Sequence, residues 1–333
     1  MKHTWKITFV LLGMFLITQL IGLAVIHLNT ISEAPYVLPQ EEINPVSGLV
    51  SIVIAFVVAI LLVLFLNKYG MKSILRGWFF IVVAYALVIT SYSLVYWLVA
   101  QFQSGLSEFL FFKMSILGGF FSFSTLELLA WLVCIPVAYI KIYRQNILLH
   151  NITELLVYPG IGTVFVAFLF YSGVNPLSSI FALTTLLIAI SIYDIWAVNH
   201  SGIMQKMAKF QINELKLFAG FFIPYMDKKQ RIELKQIKQK YKKKEMDKIL
   251  EKKKFKVSLA ILGGGDVVFP IIASGLFFQL FGLIPSLFIT ACATISLLYL
   301  FAVARKGKFY PAMPFLTGGI FIGMILGWIY SLL

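Results

Sequence analysis

Two aspartates hold the chemistry open to this chain. Asp266 follows three glycines in Leu262-Gly263-Gly264-Gly265-Asp266-Val267, inside an apolar run over 257–281 that is long enough to cross a bilayer. An acid at such depth is costly unless it is neutral, paired or facing water. Asp194 lies in Ser191-Ile192-Tyr193-Asp194-Ile195-Trp196, near the end of another apolar run over 177–198. Two carboxyls a few ångström apart in a low dielectric cannot both ionise easily, so they share a proton and titrate as a pair. Such a pair suits peptide hydrolysis: one carboxylate takes a proton from water while the neutral partner donates to the scissile carbonyl, with no covalent intermediate. It equally suits a proton relay in a transporter, and the two acids alone do not separate these readings.

The elements that must position these acids are membrane spans. Of 333 residues 60% are hydrophobic and only 13% charged, about half the charge of a soluble domain. Nine apolar stretches are long enough to span, near 7–27, 46–67, 77–100, 119–140, 155–172, 177–198, 257–281, 283–304 and 312–332. The first could be a cleaved leader, but its long apolar run and weak cleavage site favour a retained helix. The stretch 101–118, with Glu108 and Lys113 among phenylalanines, reads as an interfacial piece. The two cysteines, Cys134 and Cys292, fall in apolar runs and read as packing residues. No metal-ligand set and no cofactor motif stands out.

A polar segment over 199–256 divides the chain into helices 1–6 (1–198), a basic loop, and helices 7–9 (257–333). The loop carries seventeen of the 28 basic residues and one apolar island, 217–224, too short to span, which is expected to sit on the surface or pack on the bundle. With nine spans, the N-terminus and the loops after spans two, four, six and eight share one side. That side holds every Lys and Arg except Lys113. Basic residues stay cytoplasmic, so we expect the N-terminus inside and the C-terminus outside. Eight or ten spans would scramble this separation. The net charge of +14 is therefore a topology signal and not a nucleic-acid footprint.

On this layout Asp194 and Asp266 both belong to the cytoplasmic half of the bilayer, at depths of ~6 and ~14 Å in uninterrupted helices. Glu127 falls in the outer half and reads as structural, satisfied by a neighbouring helix. Glu154 reads as a charge at the start of the fifth span, where a carboxylate suits the helix N-terminus. A third element lies at the same face as the aspartates: Pro311-Ala312-Met313-Pro314 opens the ninth span. Its prolines remove backbone donors, and irregular backbone at membrane depth is tolerated only beside protein or a water-filled cavity. This tips the balance toward hydrolysis.

Tyr193-Asp194, Gly263-x-Gly265-Asp266 and Pro311-Ala312-Met313, in that order, resemble the YD, GxGD and PAL motifs of the presenilin and signal peptide peptidase family. The nine spans and the long loop between the sixth and seventh resemble it too, so the similarity covers nearly the whole chain. It implies an all-α polytopic fold and an intramembrane aspartyl protease with Asp194 and Asp266 as the catalytic pair. It further implies that Tyr193, Gly263, Gly265, Pro311, Ala312 and Met313 shape the active site or bind substrate. Met313 stands where the family has leucine; methionine is similar in volume, so altered packing is expected but not lost activity. The cytoplasmic N-terminus and Pro314 after the motif resemble presenilin rather than signal peptide peptidase, and the lack of a large ectodomain suggests a microbial, archaeal homologue. The expected partners are transmembrane-helix substrates and the lipid bilayer, with no nucleic acid, cofactor or metal. A proton- or cation-coupled transporter using the same acids is the alternative, and a helix-binding protein without turnover a third.

Overall fold

The computed structural model describes residues 5–31, 71–101, 109–116, 121–144, 146–171, 176–201, 219–225, 258–304 and 310–333, with Ile54, Val58 and Tyr69 singly. Its helices are α1 (Trp5–Ile31), α2 (Lys72–Ala100), α3 (Thr125–Arg144), α4 (Ile147–Tyr171), α5 (Pro176–Trp196), α6 (Gly264–Phe281), α7 (Leu283–Val303) and α8 (Met313–Ser331). All eight are long and apolar enough to cross a membrane. The expected second span, 46–67, lies outside the described residues apart from Ile54 and Val58, as do 202–218 and 226–256 of the basic loop. The chain is an integral membrane protein built as a helical bundle.

α6 is the centre of the bundle. It packs against α1, α4, α5, α7 and α8, and Ile271, Ile272, Ala273 and Leu276 have no solvent contact. α1 adds Leu11, Phe15 and Ile26 to the same core. The tightest helix pair is α7 with α8. There Gly319, Gly323 and Gly327 form a small-residue stripe at four-residue spacing; a Cβ on Gly323 would come within 2.5 Å of the Ile289 Cα, and one on Gly327 within 2.8 Å of the Pro285 carbonyl. Small residues let backbones meet this closely where lipid offers no hydrophobic drive between helices.

Two small antiparallel sheets join the helices. β1 (Lys113–Ile116) pairs with β2 (Phe121–Ser124), with Lys113 opposite Ser124. β3 (Gly220–Tyr225) pairs with β4 (Ser258–Gly263), with Gly220 opposite Gly263 and Tyr225 opposite Ser258. One expectation is corrected here. The seventh span was read as helical from 257, but the chain is a strand until Gly263 and turns helical only at Gly264. Three successive glycines cost about 1 kcal/mol each inside a helix relative to alanine, so the helix starts among them rather than before them. Of the two placements expected for the apolar island of the basic loop, packing on the bundle is the one observed. Its strand β3 enters the bundle, where Phe221 is fully buried.

Strands at membrane depth need partners for their backbone groups. β4 serves one edge of β3, and α4 serves the other: the Asn151 Nδ2 donates to the Phe222 carbonyl at 2.7 Å, and the Phe222 N–H donates to Asn151 Oδ1 at 2.9 Å. The side-chain amide thus stands in for a neighbouring strand. His150 Nε2 lies 2.8 Å from the Gly220 carbonyl.

Of the remaining acids, Glu154 also departs from expectation. The fifth span begins at Ile147, because Asn146 Oδ1 accepts the N–H groups of Leu148 and Leu149 at 3.0 and 3.3 Å. Glu154 is therefore interior to α4 and buried, not a surface charge at a helix start. It pairs with the buried Lys141 Nζ of α3 at 2.9 Å and faces His150 Nε2 at 3.4 Å. Glu127 sits in the first turn of α3; its N–H donates to Ser124 Oγ at 3.1 Å, and the side chain is buried. Ser124 and Glu127 have the spacing of a capping box.

Candidate active site

Asp194 sits in the last turn of α5, buried. Its Oδ2 accepts the Met313 N–H at 3.0 Å, and the Ala312 N–H also reaches the carboxylate. Ala312 and Met313 form the N-terminus of α8, with Pro314 in its first turn. The free N–H groups and positive end of that helix make a ready seat for an anion. One turn back on α5 and one turn on along α8, the Ser191 and Thr317 hydroxyls meet at 2.8 Å. Two contacts thus fix the register between α5 and α8. The other oxygen, Asp194 Oδ1, is buried with no hydrogen-bond partner among the described residues.

Asp266 is the third residue of α6 and half-buried. Its carboxylate folds back on the Gly263 N–H at the head of its own helix, the reciprocal arm that a capping residue at this position makes. A Cβ on Gly263 would stand 3.1 Å from Asp266 Oδ2. Pro270 lacks the N–H that would bond the Asp266 carbonyl. Gln19 of α1 reaches across to the next carbonyl, with its Nε2 donating to Val267 at 2.9 Å. The Asp194 carboxylate lies within electrostatic range of Asp266. α5 runs on past Trp196 through a wider π-type turn, Ala197–Ser201, and a strand precedes α6. The depths reckoned from uninterrupted helices therefore do not apply, and the two acids come within electrostatic range although one was expected deeper.

The other expected site residues divide. Met313 is buried in the main core with Ala312 half-buried against it, both beside Asp194, and Pro311 is half-buried. Tyr193 is 47% exposed with its ring 6.2 Å from that of Trp196, on the outside of α5. Gly265 is exposed, and a Cβ there would meet only Phe269, at an ordinary 3.7 Å. The crowded glycine is the one between: a Cβ on Gly264 would lie 2.8 Å from Tyr158 Oη and 2.9 Å from its Cε1. Tyr158, Asn151 and the Lys141–Glu154 pair were not singled out in the sequence. A tyrosine on an apolar helix reads as packing, and only the fold shows that it abuts the glycine run. Among the described residues no three His, Cys, Asp or Glu side chains gather to hold a metal ion.

No protein-family model and no curated protein sequence matches the chain. Solved structures do. One, described as a presenilin family intramembrane aspartate protease in a C222 crystal form, superposes with a TM-score of 0.54 over 97% of this chain and 99% of that one, at 14% identity. A P2 crystal form of a protein with the same description gives 0.55 over 96% of each chain, at 15% identity. At such identity the likeness is one of fold, and it extends over nearly the full length of both chains.

Proposed function

We propose that this chain is an intramembrane aspartyl endopeptidase of the GxGD type, which hydrolyses peptide bonds within membrane-spanning segments of other proteins. One observation carries the reading: a buried acid of α5, seated on the head of α8 with one oxygen free of any partner among the described residues, lies within electrostatic range of a second acid on α6. Asp194 and Asp266 are the proposed catalytic pair. With one proton between them, the charged carboxylate draws a proton from water as the oxygen attacks the scissile carbonyl, and the neutral one donates to the carbonyl oxygen. The backbone N–H groups at the head of α8 hold Asp194 in orientation throughout.

The fold likeness supports the same reading, since the matched solved structures are described as intramembrane aspartate proteases. A helical substrate hides its amides, so it must unwind before water can attack. The β3–β4 sheet offers a place for the opened backbone. α4 occupies the outer edge of β3 through Asn151, and β4 runs directly into Gly263 and Asp266. An extended substrate segment added beside β4 would be led to the acids by main-chain hydrogen bonds. The open face at Gly265 leaves room for that backbone, while Pro311, Ala312 and Met313 close the far side. We place the N-terminus in the cytoplasm and the C-terminus outside, on the distribution of Lys and Arg.

The test is cleavage of a single-span peptide by the purified protein in liposomes, read by mass spectrometry. Fragments cut within the span, lost in both Asp194→Ala and Asp266→Ala, are expected. Intact peptide together with pH-driven solute flux in sealed vesicles would instead select a transporter.

A further inference from the structure

Behind the acid pair lies a buried polar row that the proposed chemistry does not use. Along α4, His150, Glu154 and Tyr158 follow at four-residue spacing and so share one face of the helix. Glu154 is engaged by Lys141 Nζ at 2.9 Å and faced by His150 Nε2 at 3.4 Å. Tyr158 is 2% exposed, its ring edge-on to Phe221 of β3 at 5.6 Å. Its hydroxyl closes no hydrogen bond of normal geometry among the described residues. Glu154 approaches the hydroxyl from one side, with its Oε1 turned to Lys141 and His150. A buried phenol without a partner is uncommon, because burying an unsatisfied donor costs about 1–3 kcal/mol.

That donor is aimed at the glycine run. It lies against Gly264, where any side chain would collide with it, two residues before Asp266, and the Asp266 charge acts on it. We propose that Tyr158 is a positioning residue for Asp266: in the working enzyme its buried hydroxyl donates a hydrogen bond to the Asp266 carboxylate and so sets which acid keeps the shared proton. The phenol keeps its own proton throughout, so nothing is transferred to it or from it. Among the described residues, the groups facing Asp266 besides Tyr158 are Asp194 from α5 and the Gly263 N–H from β4; behind Tyr158 stand Glu154, Lys141 and His150. A donor held in place by packing on Phe221 and Gly264 favours the charged form of Asp266, whereas Asp194 already accepts two backbone donors. The two acids are then biased by different neighbours, which is how a symmetric pair acquires distinct roles.

This inference rests on the protease reading, and the experiment separates the two. Wild type, Tyr158→Phe and a protein carrying 3-fluorotyrosine at 158 are reconstituted in liposomes, and cleavage of the single-span peptide is followed from pH 4 to 9. With Phe, kcat is expected to fall roughly fivefold, the worth of one hydrogen bond, with KM little changed. The acid limb of the rate profile is expected to move to higher pH, since the carboxylate has lost a donor that favoured its charged form. Fluorotyrosine, a stronger donor, is expected to move the same limb to lower pH. Should the Phe variant fail to fold, the fluorotyrosine protein decides alone. An acid limb unmoved by either change overturns the role of Tyr158 while leaving the protease intact. No cleavage by wild type would overturn the protease reading instead.

Discussion

The backbone N–H of Met313 donates to Asp194 Oδ2 at 3.0 Å, so an acid at the end of α5 caps the beginning of α8. Asp194 therefore has a structural duty as well as its proposed chemical one, and substitution can separate them. Asp194→Asn keeps an oxygen that accepts the Met313 N–H. It is expected to fold with near wild-type thermal stability in detergent while losing cleavage. Asp194→Ala is expected to lose cleavage too, and in addition about 1 kcal/mol of stability, the usual worth of a helix cap. Turnover by the asparagine protein would be incompatible with the proposed role.

The glycine run makes a second, position-specific prediction. Gly264→Ala would put its Cβ 2.8 Å from Tyr158 Oη, whereas Gly265→Ala would meet nothing closer than Phe269 at 3.7 Å. Overpacking of this kind costs about 1–3 kcal/mol. Thermal unfolding should show Gly264→Ala destabilised and Gly265→Ala unchanged. If an unwound substrate passes over the exposed Gly265, that alanine should raise KM while leaving the melting temperature alone. Equal melting temperatures for the two variants would contradict the packing described.

What the sequence made legible follows from what polarity alone can signal. Asp194 and Asp266 stood out because an acid in an apolar run has few physical excuses, and the helical bundle followed from runs of spanning length. Glu154 was misjudged because its helix begins at Asn146, and an Asn cap just ahead of an already apolar stretch gives little contrast. The strand β4 was read as helix for a related reason. A short apolar segment has the same composition in either state, and only its pairing with 220–225 shows which it is. Tyr158 was invisible for want of any polarity signal.

The Lys141–Glu154 pair ties α3 to α4 at 2.9 Å with both side chains almost fully buried. Breaking such a pair is worse than never having it, because the survivor is left charged in a low dielectric. Lys141→Met is expected to cost about 3–5 kcal/mol, enough to lower expression and the melting temperature sharply. The double variant Lys141→Met, Glu154→Leu removes both charges and should recover most of that loss. A double variant no better than the single one would show that Glu154 is satisfied by something other than Lys141.

Asn151 offers the most direct test of how β3 is held beside the site. Its amide makes both available backbone hydrogen bonds with Phe222, at 2.7 and 2.9 Å, as a neighbouring strand would. Asn151→Leu keeps the volume and removes both partners, which leaves an N–H and a C=O of β3 unpaired in an apolar setting. The helices do not depend on these two bonds, so their packing should persist, and global melting should change little. β3 should instead open locally, with faster amide hydrogen exchange across 220–225. Because β3 pairs with β4 and β4 runs into Asp266, cleavage should fall even though neither acid has been touched. Asn151→Asp provides the control: it can still accept the Phe222 N–H but cannot donate to the Phe222 carbonyl, and should lie between wild type and the leucine variant in both exchange and turnover. Unchanged exchange across 220–225 in the leucine protein would show that β3 is held by β4 alone.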